Sequence, residues 1–493
     1  MIPFESLNSW LTFASDASTK LLQREANMKN KRKTKKKKQR VATFELINPN
    51  AAGIDIGAEF HYVAIPKGRD PEGKDVRNFG TFTADLYALA HWLKDCQIET
   101  VAMESTSIYW IPLFELLDSE GIDVNLVNPQ FIKNVSGRKT DVLDCQWIQQ
   151  LHTYGLLRGS FRPEEQICIL RGYLRQRTML VSYASRHIQH MQKALEQMNI
   201  KLNQVVRDIT GVTGMGIIRA ITNGECNPEK LAKLRNPRCK NDVKTIARAL
   251  HGNYRMEHLF ALKQAVELYD TYHEKIVDCD RKIEQHLSSF EDQSNGRPLG
   301  KVRKSNRGKN KPSFDARSHL YRMTGTDLTA IDGLDTLTVL KIISETGLDM
   351  SLWPTEKHFG SWLGLSPGSK VSGGKVMSSK TKKCANRAAH ALRLAAYSLQ
   401  RSKSATGAFF RRKKAQRGPA KAITATAYKL ARIIYNMLKN GTEYKDIGQD
   451  YYEQRYKKRL IKNLKMRPKQ FGYELKYIKE QQPVTEMADS LVI

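Results

Sequence analysis

AAGIDIGAEFHYVAIP, residues 51–66, decides how the first third of the chain folds. It is β-rich, with a Gly turn in its middle, and reads as two paired strands. Asp55 sits inside the apolar GIDIG run, where a charge is rare unless something compensates it. Working outward, RNFGTFTA (77–84) predicts a third strand, and TADLYALAHWLKDC (83–96) has helical spacing through Leu86, Leu89, Trp92 and Leu93. ETVAMES (99–105) reads as a buried strand, IYWIPLFELLDSEG (108–121) as a helix ending at a Gly cap, and DVNLVN (123–128) as another strand. TDVLDCQWIQQLHT (140–153) is a helix with Thr140 as N-cap. Strands followed by alternating strands and helices predict a mixed α/β sheet domain over 42–165.

From Leu174 the pattern changes. Leu174, Val181, Ile188, Leu195 and Leu202 recur every seven residues, with Ala184, Met191 and Met198 between them. A second run passes through Leu259, Leu262, Val266, Tyr269, His273, Ile276, Ile283 and Leu287. Two heptad helices over 166–290 predict an antiparallel hairpin or an oligomerising coiled coil. Arg177, His273 and Asp280 fall at seam positions and interrupt the pattern. Residues 291–320 read as a flexible basic linker. A mostly helical domain follows over 321–445. Within it, 328–347 predicts a helix, a Gly turn and a second helix; 362–400 a Gly- and Ser-rich basic loop leading into an amphipathic helix; and 419–438 a further helix. Residues 446–493 form a basic, weakly patterned tail.

The 493 residues hold 81 Lys and Arg against 50 Asp and Glu, a net charge of +31. Such a chain repels itself unless a polyanion is near, which points to nucleic acid before an anionic membrane surface. Residues 29–40, KNKRKTKKKKQR, place nine basic side chains in twelve positions and predict a solvated arm over 1–41. No run approaches the length a membrane span needs, and the N-terminus lacks a charged n-region and a cleavage site, which predicts a cytoplasmic chain. Seven cysteines without a CxxC pair fit reduced thiols. The histidines form no HExxH cluster, so a metal site must rest on carboxylates.

Two constellations could carry chemistry. Asp55, Glu104 at the end of VAMES, and Asp141 with Asp144, which share one helix face, are four acids that could converge at strand ends. Together they would repel and raise one another's pKa values unless a divalent cation relieved them. Oxygen-only ligands suit Mg²⁺ or Mn²⁺. Asp123, at a turn before a strand, is a decoy of the same type. The other constellation is KVSGGKVMSSKTKK (370–383). Ser372 precedes Gly373 and Gly374, which permit close backbone approach to a phosphate. Lys370, Lys375, Lys380, Lys382 and Lys383 make the stretch strongly positive and suited to nucleic-acid contact. Ser372 is either a hydrogen-bonding residue of a phosphate-binding turn or a nucleophile in need of an activator.

GIDIG with Asp55, AMEST with Glu104, GRKTDVLDCQWI with Asp141 and Asp144, and GLSP…SGGK with Ser372 together resemble the DEDD transposases of bacterial insertion sequences, the insertion sequence 110 family. The resemblance covers most of 48–440 and extends to ITGVTGMGIIRAITNGECNPEKLA (209–232). It implies a RuvC-like, RNase H-type sheet domain in which Asp55, Glu104, Asp141 and Asp144 bind Mg²⁺ (or Mn²⁺). It also implies a coiled-coil middle that oligomerises and a C-terminal transposase domain whose catalytic serine is best matched by Ser372, with Ser366, Ser378 and Ser379 nearby. The active site of such proteins is composite, and a structured guide (bridge) RNA pairs with element ends and target DNA. The expected function is therefore an RNA-guided recombinase, a homodimer or tetramer in the bacterial nucleoid, cutting and rejoining DNA through a covalent serine–DNA intermediate. A metal-only junction nuclease and a noncatalytic nucleic-acid scaffold are the alternatives. No GxxxxGK[ST] motif is present, which agrees with a reaction that needs no ATP.

Overall fold

The computed structural model describes residues 45–132, 140–301, 308, 310–382 and 386–473. The basic run at 29–40, Lys383 and the chain beyond 473 lie outside the described residues. The chain forms two compact units that divide between Phe161 and Arg162.

The first unit is a RuvC-like mixed sheet with helices on both faces. In chain order it runs β1 (Ala51–Ile56), β2 (Phe60–Ala64), β3 (Val76–Gly80), α1 (Thr83–Asp95), β4 (Thr100–Glu104), α2 (Trp110–Ser119), β5 (Asp123–Val127), α3 (Pro129–Ile132) and α4 (Asp141–Thr153). The spatial order is β3-β2-β1-β4-β5. The three strands on the β3 side are antiparallel, and β1, β4 and β5 are parallel. Alternation explains the layering. Ala52, Ile54, Ile56, Val101 and Met103 face α1 and α2, where they pack with Leu89, Leu93, Leu113 and Leu117. Each fully buried Leu or Ile contributes about 1.5–3 kcal/mol. The opposite face packs Ala102 and Val127 against Ile132 and Ile148. Thr140 caps α4 as expected, accepting a hydrogen bond from the Leu143 amide at 3.3 Å. The third strand is shorter than its sequence pattern, because the chain already turns into α1 at Thr83.

The second unit is mostly helical. It opens with α5 (Glu165–Gln197), followed by α6 (Leu202–Val205), α7 (Val212–Thr222), α8 (Pro228–Ala232), α9 (Val243–Ala249) and α10 (Met256–Ser288). The two 33-residue helices, α5 and α10, lie antiparallel, with His286 against the Gln166 carbonyl at one end and Tyr183 against Tyr272 further along. The hairpin reading of the heptads therefore holds within one chain. The heptad run does not reach Leu202 in one helix: the chain turns at Asn199, whose φ is +57°, and Leu202 starts α6. Two of the seam interruptions satisfy each other. Arg177 and Asp280 are buried and paired, with Nε to Oδ1 at 2.5 Å. The remaining lone pairs and protons meet the Ser313 amide and the Lys311 carbonyl. These bonds anchor the far side of the stretch expected to be a linker. The outer end of the hairpin carries a core of its own, in which Met191, Leu195 and Met198 meet Ile217, Ile218, Leu231 and Ile246.

Beyond residue 310 come α11 (Ala316–Thr324), a 3-10 turn (Leu328–Ala330), α12 (Thr336–Thr346), α13 (Glu356–Trp362), β6 (Lys370–Ser372), β7 (Lys375–Ser378), α14 (Arg387–Ser398), a 3-10 turn (Leu399–Arg401), α15 (Ala405–Arg417), α16 (Pro419–Asn440) and α17 (Gln449–Lys469). Three expectations are corrected. The first helix expected in 328–347 is a single 3-10 turn, held short by Asp327 at its start and by Asp335, which caps the next helix through the Thr338 amide. The basic loop before α14 contains a two-stranded hairpin. Part of the C-terminal tail is a 21-residue helix. No helix among the described residues is long and apolar enough to cross a membrane.

Candidate active site

Ile54 lies opposite Met103 in the parallel β1–β4 pair, so the next step of the register sets Asp55 beside Glu104 at the C-terminal ends of the two strands. Both side chains fall on the face away from α1 and α2, the face that carries α4. α4 runs antiparallel to β1. At its end, the Thr153 carbonyl accepts from the Ile47 and Asn48 amides, and Gln149 Nε2 donates to the Ala51 carbonyl at 3.3 Å. In its middle, the helix presses on Gly53, where an added Cβ would stand 2.2 Å from the Gln149 nitrogen and 2.5 Å from the Cys145 oxygen. Only glycine allows this approach. The N-terminal turn of α4, with Asp141 and Asp144, is therefore carried toward the end of β1 that holds Asp55.

Asp55, Glu104 and Asp144 are half-buried and Asp141 is exposed. Glu104 accepts a hydrogen bond from Thr106 Oγ1 at 3.0 Å. Cys145 senses the cluster: burial, and after it the charge of Asp55, push its thiol up to about 12. The four acids at this edge offer oxygen donors only. That set fits a hard divalent cation. The fit is one of chemistry, because among the described residues no three His, Cys, Asp or Glu side chains stand close enough to hold a metal ion. The acids border an edge without closing on a point. Asp141 and Asp144 also suit the positive N-terminus of their own helix.

Asp123 stands apart from this group. It begins β5, opposite Thr100 at the start of β4, and its carboxylate accepts from Thr100 Oγ1 at 3.2 Å. Its place is the N-terminal edge of the parallel strands, the reverse of the edge that holds Glu104.

Ser372 is the last residue of β6, and Lys375 is its register partner across a two-residue turn. Gly373 and Gly374 have φ of +54° and +75°, the pair of positive values that a type I′ hairpin turn requires. Partners flanking such a turn share a face, so the Lys375 side chain lies on the side of the hairpin that carries the Ser372 hydroxyl. Ser372, Lys370, Lys375, Lys380 and Lys382 are exposed. Among the described residues the Ser372 hydroxyl makes no hydrogen bond. Ser378 is half-buried at the base of the hairpin, and its Oγ accepts from the Lys380 amide at 3.3 Å. Ser372 alone of the nearby serines adjoins the turn. The sequence reading missed the hairpin itself, although alternation through Val371 and Val376 around Gly-Gly is the signal that marks one.

Residues 52–200 match a family model described as a transposase of the DEDD, IS110 type. Residues 325–411 match one described as the transposase of the IS116/IS110/IS902 family. The first match encloses all four acids and the second encloses Ser372. No curated protein matches the chain significantly.

Proposed function

We propose, from the chain's membership of the IS110 family of insertion-sequence transposases, that it cuts and rejoins DNA with Ser372 as nucleophile and with Asp55, Glu104, Asp141 and Asp144 as the carboxylates that hold Mg²⁺ or Mn²⁺. One observation carries the reading: the parallel register with Ile54 opposite Met103, whose continuation brings Asp55 and Glu104 to the edge served by the first turn of α4. When bound, a divalent ion would supply neutralisation of the phosphate's negative charge.

The rest falls to the chain's own groups. Ser372 Oγ forms a bond to phosphorus while the bond from phosphorus to a strand oxygen breaks, and the departing oxygen takes up a proton. The seryl phosphodiester keeps the bond energy of the original linkage. An incoming strand hydroxyl then displaces Ser372, which recovers its proton. Lys375, on the same hairpin face, faces the developing negative charge, and the positive φ glycines let the turn's backbone approach a phosphate. On this reading 42–165 is the metal-binding domain and 321–445 the serine-bearing domain.

The +31 charge supports a polyanionic assembly in which a structured guide RNA pairs with element ends and target DNA. A homo-oligomer, dimer or tetramer, belongs to the same reading. A second reading, the metal-only nuclease in which water attacks, is favoured by the lack of any base bonded to the Ser372 hydroxyl among the described residues.

Asp55→Asn tests the reading's core. The substitution keeps size and hydrogen-bonding capacity but removes the charge. It should abolish strand cleavage, while affinity for DNA and RNA changes less than twofold. Cleavage at the wild-type rate would remove Asp55 from the site.

A further inference from the structure

We infer that α17 is a DNA-docking helix that lies in the major groove of a duplex. The inference is independent of Ser372 and of the four acids, and it concerns a part of the chain to which the catalytic reading gives no role.

Its root is pinned to the body by unusual means. The Arg412 guanidinium stacks on Tyr456 at 4.1 Å and on Tyr452 at 5.2 Å, and the Lys429 ammonium stands 5.2 Å from the Tyr452 ring. Gln416 donates to the Tyr456 hydroxyl at 3.2 Å, and Arg411 donates to Gln449 Oε1 at 2.6 Å. Beyond Tyr456 the helix leaves the body: residues 457–466 are all exposed.

That free stretch is chemically one-sided. Arg455, Lys457, Lys458, Arg459, Lys462 and Lys465 are exposed, and the sequence from 454 to 473 contains no acid. Arg455 with Arg459 and Lys458 with Lys462 are like-charge pairs at i, i+4, which destabilise a helix in water. The arrangement is favourable only beside a polyanion. Arg455, Lys458, Lys462 and Lys465 form one stripe at i, i+3, i+7 and i+10, about 15 Å long, or about four base-pair steps of a duplex. Lys457 and Arg459 flank it on either side.

Geometry selects the polyanion. A helix with its side chains is about 10–12 Å across, and the major groove of B-form DNA is about 12 Å wide. The major groove of A-form RNA is too deep and narrow to admit one. A membrane surface would ask for a continuous apolar face. The exposed apolar residues do not make one: Leu460, Ile461 and Leu464 share a face only about one turn long, and Met466 lies on the opposite side of the helix.

The test is a triple substitution, Lys458→Gln with Lys462→Gln and Lys465→Gln, in the full-length protein. Glutamine keeps helix propensity close to that of lysine. Far-UV circular dichroism and the unfolding temperature, both unchanged, establish that the variant folds. Binding to a short blunt duplex DNA of arbitrary sequence is measured over a range of salt. The slope of log affinity against log salt should flatten by about 0.9 for each lysine that contacts a phosphate. Binding to a hairpin RNA and to phosphatidylglycerol vesicles should keep its wild-type slope. An unchanged slope with DNA overturns the proposal. So does a loss seen with the RNA or the vesicles and not with DNA.

Discussion

Two buried imidazoles tie the stability of the sheet unit to pH. His152 is 4% exposed, with Nε2 3.0 Å from Thr100 Oγ1, and His61 is 2% exposed, with an Nδ1 that has no partner among the described residues. Burial lowers both pKa values from the ordinary 6.5; for His152 the Asp123 charge opposes part of the shift. The unfolded chain then binds protons that the folded chain refuses, so stability is full above the unfolded value and falls as pH drops below about 6.5. Exchange of the β1 and β4 amides, corrected for intrinsic rates, should quicken below that pH, and His152→Gln should weaken the dependence. A flat profile would place both rings in contact with water. Residues also differ in how plainly the sequence shows them. Asp55 stands out because a charge inside GIDIG has no ordinary structural excuse. Ser372 has no such mark and is picked out only by the family's motif, since a serine in a Gly- and Lys-rich stretch suits any phosphate-binding turn.

At the scale of elements, the serine hairpin depends on its turn. Gly373 and Gly374 both occupy the left-handed region, where an L side chain costs about 1–2 kcal/mol. Gly374→Ala should therefore cut strand transfer severalfold or more while leaving the unfolding temperature of the whole chain nearly unchanged, because β6 and β7 are exposed and add little to the core. Wild-type transfer in that variant would mean that the turn geometry does not position Ser372. The elements legible in the sequence are those whose burial marks composition or period: β1, β2 and β4 as short β-rich, apolar runs, α1 by Leu86, Leu89 and Leu93, α5 and α10 by heptads. The β6–β7 hairpin is largely exposed, and α17 meets the body only through its root, Gln449–Tyr456, so neither imprints a core-facing pattern. The first turn of 328–347 reads as a helix through its apolar residues, but Asp327 and Asp335 cap local turns and divide it. That the acids could converge was legible only as a possibility; placing Asp55 and Glu104 on the same edge needed the β1–β4 register, in which Ile54 lies opposite Met103, 49 residues further along the chain.

At the scale of the molecule, two compact units carry the two halves of the proposed chemistry, each with its own core; one family match runs from residue 52 in the first unit to residue 200 in the second, and the other lies wholly in the second. The net charge of +31 is carried unevenly: residues 1–161 hold 20 basic and 19 acidic side chains, so nearly all of the excess lies in 162–493, the part that would work among phosphates. Everything distinctive in the account rests on the serine becoming covalently joined to DNA. The most direct test incubates the full-length protein with Mg²⁺, RNA transcribed from the DNA flanking its gene, and end-labelled element-junction DNA, followed by a denaturing gel. The account predicts label migrating with the wild-type protein, released by protease digestion and absent in Ser372→Ala. Cleavage without any protein-linked label, persisting in Ser372→Ala, would contradict it and assign the reaction to water at the carboxylate edge.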